Sequence, residues 1–336
     1  MINRRVVLAA HVSGMPRESD FRIDAVDQPP PGEGEVVVRN HYVSVDPGMR
    51  GRLSGEASYT APVPLGDVVG SATVGRVIAS NNDAWPVGEW VAGAFGWQEL
   101  GLSPGGRGIR RIPEGPIPPS AHIGVLGIPG LTAYFGLLDI GQPKPGETVL
   151  VSTAAGAVGS AAGQIARING ASTVGIAGGQ AKCRWLTEEL GFDAAIDRLA
   201  EPDMAAAVAR ECPDGVDVFF DNVGNSLIDP ILPLMRQHGR LVISGQTADY
   251  NLGREERVGL KNTRSFITAR LKMQGLVVFD YAREFSKAWT ELTGWIQDGR
   301  LKYREDIVDG LESLPAAFVG LFQGQNFGRK LARLVS

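Results

Sequence analysis

The chain has 336 residues, a formal net charge of -4, 43% hydrophobic and 21% charged residues, and only two cysteines. That length allows about two domains of ~150 residues, each with its own core. The mild charge excludes a nucleic-acid or anionic-membrane footprint. No apolar run approaches the roughly 18 residues of a membrane span, and two cysteines cannot form a disulfide framework. Near the start, the apolar run Val6 to Ala10 is too short for a signal peptide. A cytoplasmic protein is expected.

Residues 1–125 read as short strands. The stretches 34–46 (GEVVVRNHYVSVD) and 70–80 (GSATVGRVIAS) carry β-branched residues bounded by Gly, Pro and Asn. From about 125 the texture changes. A short helix is predicted over 130–141, then a strand over 148–152, a helix over 156–170, a strand over 172–179 and a helix over 180–191. There follow a strand over 194–197, a helix over 204–212, a strand over 215–224, a helix over 226–239 with Pro233 in its middle, and a strand over 239–245. Strands that alternate with helices argue α/β architecture with a doubly wound parallel sheet. Residues 280–299 are amphipathic and helical in pattern, and the tail holds a short helix and a final apolar strand that returns to the first domain.

The stretch VLVSTAAGAVGSAAGQIARING (149–170) reads as strand, tight turn and helix N-terminus. In a dinucleotide fold three small positions serve this turn: one to bend the chain, one to approach the pyrophosphate, one to pack helix on strand. Here they are Ala154, Gly156 and Gly159. The turn Gly156, Ala157, Val158, Gly159 then presents free N–H groups to a phosphate. Small-residue turns also occur for packing alone, and it is the βα repeat on both sides that favours the phosphate. An acid ending the second strand would bind the ribose of NAD. No Asp or Glu lies between Gly175 and Lys182, Gly178 and Gly179 leave room, and Lys182 offers a positive charge. This predicts NADPH.

Several runs carry a resemblance in order along nearly the whole chain. They are 43–53 (VSVDPGMRGRL), 127–166 (GIPGLTAYFGLLDIGQPKPGETVLVSTAAGAVGSAAGQIA), 219–224 (FFDNVG), 239–245 (GRLVISG), 273–278 (MQGLVV), 299–305 (GRLKYRE) and 314–331 (LPAAFVGLFQGQNFGRKL). Together they resemble the zinc-independent medium-chain dehydrogenase/reductases, in the prostaglandin reductase, 2-alkenal reductase and curcumin reductase group. The resemblance implies a GroES-like, mostly β substrate domain over 1–125, rejoined by about 305–336, and an NADP-binding Rossmann domain over 126–304. It implies NADPH-dependent reduction of the C=C bond of an α,β-unsaturated aldehyde or ketone, and a homodimer. By position, Gly156 to Gly159 would face the pyrophosphate and Lys182 the 2′-phosphate. Asn222 and the loop Ser244, Gly245, Gln246 to Tyr250 would line the cofactor. Leu276, Val277 and Val278 would lie against the nicotinamide, and Asn326 would reach the cofactor from the tail.

Two positions depart from the family pattern. Gly48, in Asp46-Pro47-Gly48-Met49-Arg50, stands where members usually carry a tyrosine of the substrate pocket. Arg198 stands where another tyrosine lies near the adenosine phosphate, and an arginine there could pair with phosphate through two bonds.

The first 125 residues contain no cysteine, LGDVVGSATVG stands where the zinc alcohol dehydrogenases of the superfamily carry a Gly-His-Glu segment, and the four histidines make no H-E-x-x-H pattern. No metal site is expected. Conjugate reduction does not ask for one. Hydride reaches the β-carbon, charge gathers on the carbonyl oxygen, and a donor aimed at that oxygen stabilises the transition state. Tyr250 is the catalytic candidate, since a phenol stays a donor at neutral pH. The alternatives are a quinone reductase, or a non-catalytic NADPH-binding protein.

Overall fold

The computed structural model describes residues 1–56 and 61–335. Segments 1–124, 305–326 and 330–336 form one compact unit, and segments 125–304 and 327–329 form another.

In the first unit, β1 (Ile2–Leu8) and β2 (Phe21–Asp27) make an antiparallel hairpin. A larger sheet uses β3 (Val36–Ser44), β4 (Thr73–Ser80), β5 (Trp90–Gly93), β6 (Leu100–Ser103) and β7 (Arg110–Arg111), with the short helix α1 (Met49–Leu53) following β3. Its order is β14-β15-β3-β4-β5-β7, with β6 also on β3, where β14 is Glu305–Asp309 and β15 is Arg329–Arg333. The tail strand β15 pairs antiparallel to β3, Leu331 opposite Ser44. Fully buried Trp97 anchors this core against Phe21 and Phe318, and its indole N–H donates to the Ser44 carbonyl at 2.9 Å. Trp97 thus satisfies its one polar atom while its ring fills the interior.

The second unit is a sheet of six parallel strands: β8 (Thr148–Val151), β9 (Ser172–Ala177), β10 (Ala194–Asp197), β11 (Val216–Asp221), β12 (Met235–Ile243) and β13 (Lys272–Gly275). Their order is β10-β9-β8-β11-β12-β13. The helices of this unit are α2 (Ile128–Phe135), α3 (Ala157–Ile168), α4 (Gln180–Arg184), α5 (Met204–Glu211), α6 (Asn225–Ile231), α7 (Arg264–Thr268) and α8 (Phe285–Gln297). In the first unit α9 (Leu314–Phe322) brings Phe318 into the core. The central strands are buried because both faces are covered; every residue of Val216–Asp221 is buried, its two aspartates included. The expected α/β class, a doubly wound sheet plus a mostly β domain, is what the chain adopts.

Two elements differ from the sequence reading. The helix expected over 226–239 stops at Ile231, and a single tight turn, Leu232–Leu234, leads into β12 at Met235. Leu232 keeps helical angles, but Pro233 has no N–H to donate, so the α-helical bonding gives way to the tight turn, and the chain becomes extended at Met235. Regular pairing of β12 with β11 resumes at Arg240, after His238 turns the chain with a φ of 64°. The sixth strand, Lys272–Gly275, has no β-branched residue to announce it. Its register against Arg240–Ile243 defines it.

The close approach of α3 to β9 depends on absent side chains. Phe192, which is buried, fills the space above Gly163, whose Cβ would stand 2.0 Å from the ring, and beside Gly175, whose Cβ would stand 3.0 Å from it. Gly163→Ala gains helix propensity of about 1 kcal/mol but overpacks the seam. We expect a net loss of about 1–3 kcal/mol in urea unfolding, relieved when Phe192→Leu is added. A stabilised Gly163→Ala protein would show that the seam yields.

Candidate functional site

All the residues singled out in 156–278 follow the carboxyl ends of the parallel strands, the edge where open α/β sheets take their ligands. After β8 the chain turns at Thr153, not at a glycine: Thr153 has a φ of 50°, whereas Gly156, the cap of α3, has an ordinary φ of -86°. Ala154, in the position expected to bend the chain, is buried and donates its N–H to the Ile176 carbonyl on β9. Gly159 has a clear steric reason. A Cβ there would stand 2.5 Å from the Thr153 carbonyl oxygen. Gly156 caps α3 with no side chain. The first-turn N–H groups of Ala157, Val158 and Gly159 therefore have no intrahelical acceptor and no side-chain cap, as an anion site at a helix N-terminus requires. The tail segment Phe327–Arg329 belongs to this unit. It closes the turn from one side, Gly328 donating its N–H to the Ala155 carbonyl at 2.9 Å.

The next strand end is held by a buried polar cluster. The Ser152 hydroxyl donates to Asp221 Oδ1 at 2.7 Å and accepts from the Asn222 N–H at 2.8 Å. Asn222 donates its side-chain amide to the Ser152 carbonyl at 2.9 Å, and Asp221 Oδ2 accepts from the Gly224 N–H at 2.7 Å. Asp221 is fully buried, and burial pushes its carboxyl up to about 6 despite the four hydrogen bonds that favour its charged form. The carbonyls of Asp221, Asn222 and Val223 then dock the loop after β12: Ser244 donates to the first, Thr247 to the second and Ala248 to the third. The Thr247 hydroxyl adds a bond to Asn222 at 2.9 Å. This docking carries Tyr250, half-buried, with its hydroxyl 3.5 Å from the Gln246 N–H and folded over Gly245.

At the β9–β10 end, Gly178 and Arg198 are the first residues beyond their strands, and the Arg198 Nε lies 3.3 Å from where a Gly178 Cβ would be. Lys182 is the third residue of α4. Leu276 donates to the Ile243 carbonyl at 3.0 Å, Val277 is exposed and Val278 is buried. Asn326 is the last residue of its segment of the first unit, so the sheet itself does not gather it with the others. The sequence reading missed Ser152 and Asp197, whose contacts no motif announces. Asp221 caps the turn after β11 through its bond to Gly224.

Residues 4–111 match the N-terminal domain of oxidoreductase, and residues 157–295 match zinc-binding dehydrogenase. The chain is 42% identical over 337 residues to the NADPH-dependent curcumin reductase of Escherichia coli (strain K12), across 99% of this chain and 97% of the relative. It is 39% identical over 333 residues to the 2-alkenal reductase (NADP(+)-dependent) of Nicotiana tabacum, across 98% and 96%. The crystal structure of CurA in complex with NADPH from Vibrio vulnificus superposes with a TM-score of 0.93 at 40% identity, covering 99% of both chains. The chain belongs to the medium-chain dehydrogenase/reductases, in the zinc-independent group of curcumin, 2-alkenal and prostaglandin reductases. Among the described residues no three His, Cys, Asp or Glu side chains are placed to hold a metal ion. Cys183 lies in α4, and Cys212 is buried at the end of α5.

The raised Asp221 carboxyl makes a signed prediction. Its folded value, about 6, lies above the ordinary 3.8. Its contribution to stability is therefore fully present below about pH 4 and lost as pH rises through 6, by on the order of 3 kcal/mol. Urea midpoints between pH 4 and 7 should show wild type losing ground to Asp221→Asn by that order. Parallel pH profiles would contradict a buried, strained carboxylate.

Proposed function

We propose that the chain is an NADPH-dependent oxidoreductase acting on the CH–CH group, an alkenal/one reductase that reduces the C=C bond of α,β-unsaturated aldehydes and ketones without a metal. The observation that carries this reading is the Tyr250 loop. It is docked on the same strand edge as an uncapped helix N-terminus and an acid-free second strand. The names of the relatives supply the reaction class.

NADPH, when bound, supplies a hydride to the β-carbon of the substrate. Ala157, Val158 and Gly159 would hold the pyrophosphate on backbone N–H groups, Gly156, whose own N–H goes to the Thr153 carbonyl, would let it approach, and Lys182 and Arg198, with room left by Gly178, would face the 2′-phosphate. Asn222, Ser244, Gly245 and Gln246 line the cofactor. Leu276, Val277 and Val278 give the nicotinamide an apolar wall that excludes water, and Asn326 contributes from the tail. Tyr250 donates a hydrogen bond to the carbonyl oxygen as it gains charge, an interaction stronger in the transition state than in the ground state. The α-carbon takes its proton from solvent. With Gly48 in place of the family tyrosine, the substrate pocket is either roomier or filled by another side chain. The enzyme works as a homodimer in the cytoplasm. The family resemblance supports the dimer, and no helix among the described residues is long and apolar enough to cross a membrane.

The test is NADPH consumption with a medium-chain 2-alkenal, a cyclic enone and a quinone, with chelator present and NADH in parallel. Saturated product from the alkenal or enone, unaffected by chelator, is expected. Tyr250→Phe should lower kcat by about 10²-fold with little change in the NADPH dissociation constant. Turnover of the quinone alone would make this a quinone reductase. NADPH binding without any turnover would make it a non-catalytic binder.

A further inference from the structure

We infer that Arg198 is the residue by which this chain selects NADPH over NADH, and that Asp197 is its positioning residue. The inference rests on the dinucleotide reading above and assigns its selectivity to one arginine, held by a brace that the sequence does not announce.

The argument starts from register. Strands β9 and β10 run parallel with Ala177 opposite Asp197, so Gly178 and Arg198 leave the sheet side by side. The Arg198 N–H donates to the Ala177 carbonyl at 2.9 Å, which fixes its backbone to the end of β9. One oxygen of Asp197 then ties both departing turns together. Its Oδ1 accepts from the Gly179 N–H at 2.7 Å and from the Leu199 N–H at 3.0 Å. Gly179 adopts a φ of 91°, a conformation that favours glycine, and caps α4. The brace therefore sets the path of 178–179 and of 198–199 at once.

Gly178 completes the device by what it lacks. A Cβ there would stand 3.3 Å from Arg198 Nε and 3.5 Å from its Nη2, so the guanidinium lies along the bare end of β9. In a dinucleotide site this end faces the adenosine ribose. Nearby acids are engaged elsewhere: Asp197 with two backbone N–H groups, and Glu201 with Arg210 at 2.6 Å. Arg198 is exposed, and among the described residues it forms no ion pair. Its planar fork is free to take a phosphate through two bonds, whereas Lys182 brings a point charge on a flexible stem. Both cations attract the 2′-phosphate, but the arginine, its backbone tied to the end of β9, offers the two-bond fork that distinguishes a nucleotide that has one.

Binding to the full chain without nucleotide tests this, using adenosine 2′,5′-bisphosphate and AMP in calorimetry. Wild type should prefer the bisphosphate. Arg198→Ala should weaken it about tenfold or more and AMP less than about twofold, with a larger loss than Lys182→Ala. Arg198→Lys should restore only part of the loss. Asp197→Asn keeps an acceptor oxygen and should keep the preference, while Asp197→Ala should lose much of it with Arg198 still in place. The ratio of kcat/KM for NADPH to that for NADH should follow the same order. A wild type that prefers the bisphosphate, with Arg198→Ala weakening both ligands alike or less than Lys182→Ala, overturns this assignment alone. A wild type that binds both ligands equally overturns the NADPH reading with it. Equal behaviour of Asp197→Asn and Asp197→Ala removes Asp197 as the brace.

Discussion

The constraint on which the proposed site depends is the buried tie between the two middle strands of the parallel sheet, where Ser152 links Asp221 and Asn222. In chain order the sheet reads third, second, first, fourth, fifth, sixth strand, so the connections change direction between β8 and β11. At such a switch point the turns after neighbouring strands diverge and leave a crevice. Divergence also leaves backbone groups without ladder partners, and buried polar groups without partners are expensive. The Ser152–Asp221–Asn222 cluster satisfies them with side chains. The crevice can then stay open without unpaired backbone in its floor.

An ionised carboxyl in that position is costly, as its raised titration shows. Asparagine would be easier to bury, but it would present one acceptor oxygen where the site needs two, one for the Ser152 hydroxyl and one for the Gly224 N–H. The return on this cost is geometric. With Asp221 to Val223 held in place, three consecutive carbonyls accept the loop that carries Tyr250. A residue meant to meet a developing charge gains from such pre-set geometry, because no reorganisation is then needed during the reaction.

Much of this was legible in the sequence, and what was not has physical causes. The repeating βα pattern, the acid-free end of β9 and the small residues after β8 are local signals, and they locate the strand edge. The bend at Thr153 was not legible, because a positive φ at a non-glycine residue is imposed by its surroundings, here an Ala154 N–H bonded to Ile176 and a glycine at 159 that admits the Thr153 carbonyl. The early end of the helix after Gly224 was written in Pro233, but the apolar spacing around it hid the break. The strand Lys272–Gly275 has no local signal; it exists because β12 offers it a partner. Ser152 meets Asp221 and Asn222 about 70 residues away in sequence, and Asp197 reaches the Gly179 N–H on the neighbouring turn, so no spacing rule points to them.

Asp221 and Asp197 show why an acid at a strand end cannot be read by type alone. Asp221 ends β11 and ties the following turn through the Gly224 N–H; Asp197 ends β10 and ties a neighbouring turn through the Gly179 N–H. Each places a carboxylate where a glycine turn exposes an N–H, and each is thereby turned toward the protein's own backbone. The acid that would bind a ribose has to end β9 and face outward, and there the chain has glycine. The sheet thus uses carboxylates as braces at two strand ends and withholds one at the third. The withheld acid leaves the end of β9 bare for a guanidinium, and the brace on β10 puts the guanidinium there. Cofactor choice, on this reading, follows from how turns at the strand ends satisfy their backbone as much as from which charges are present.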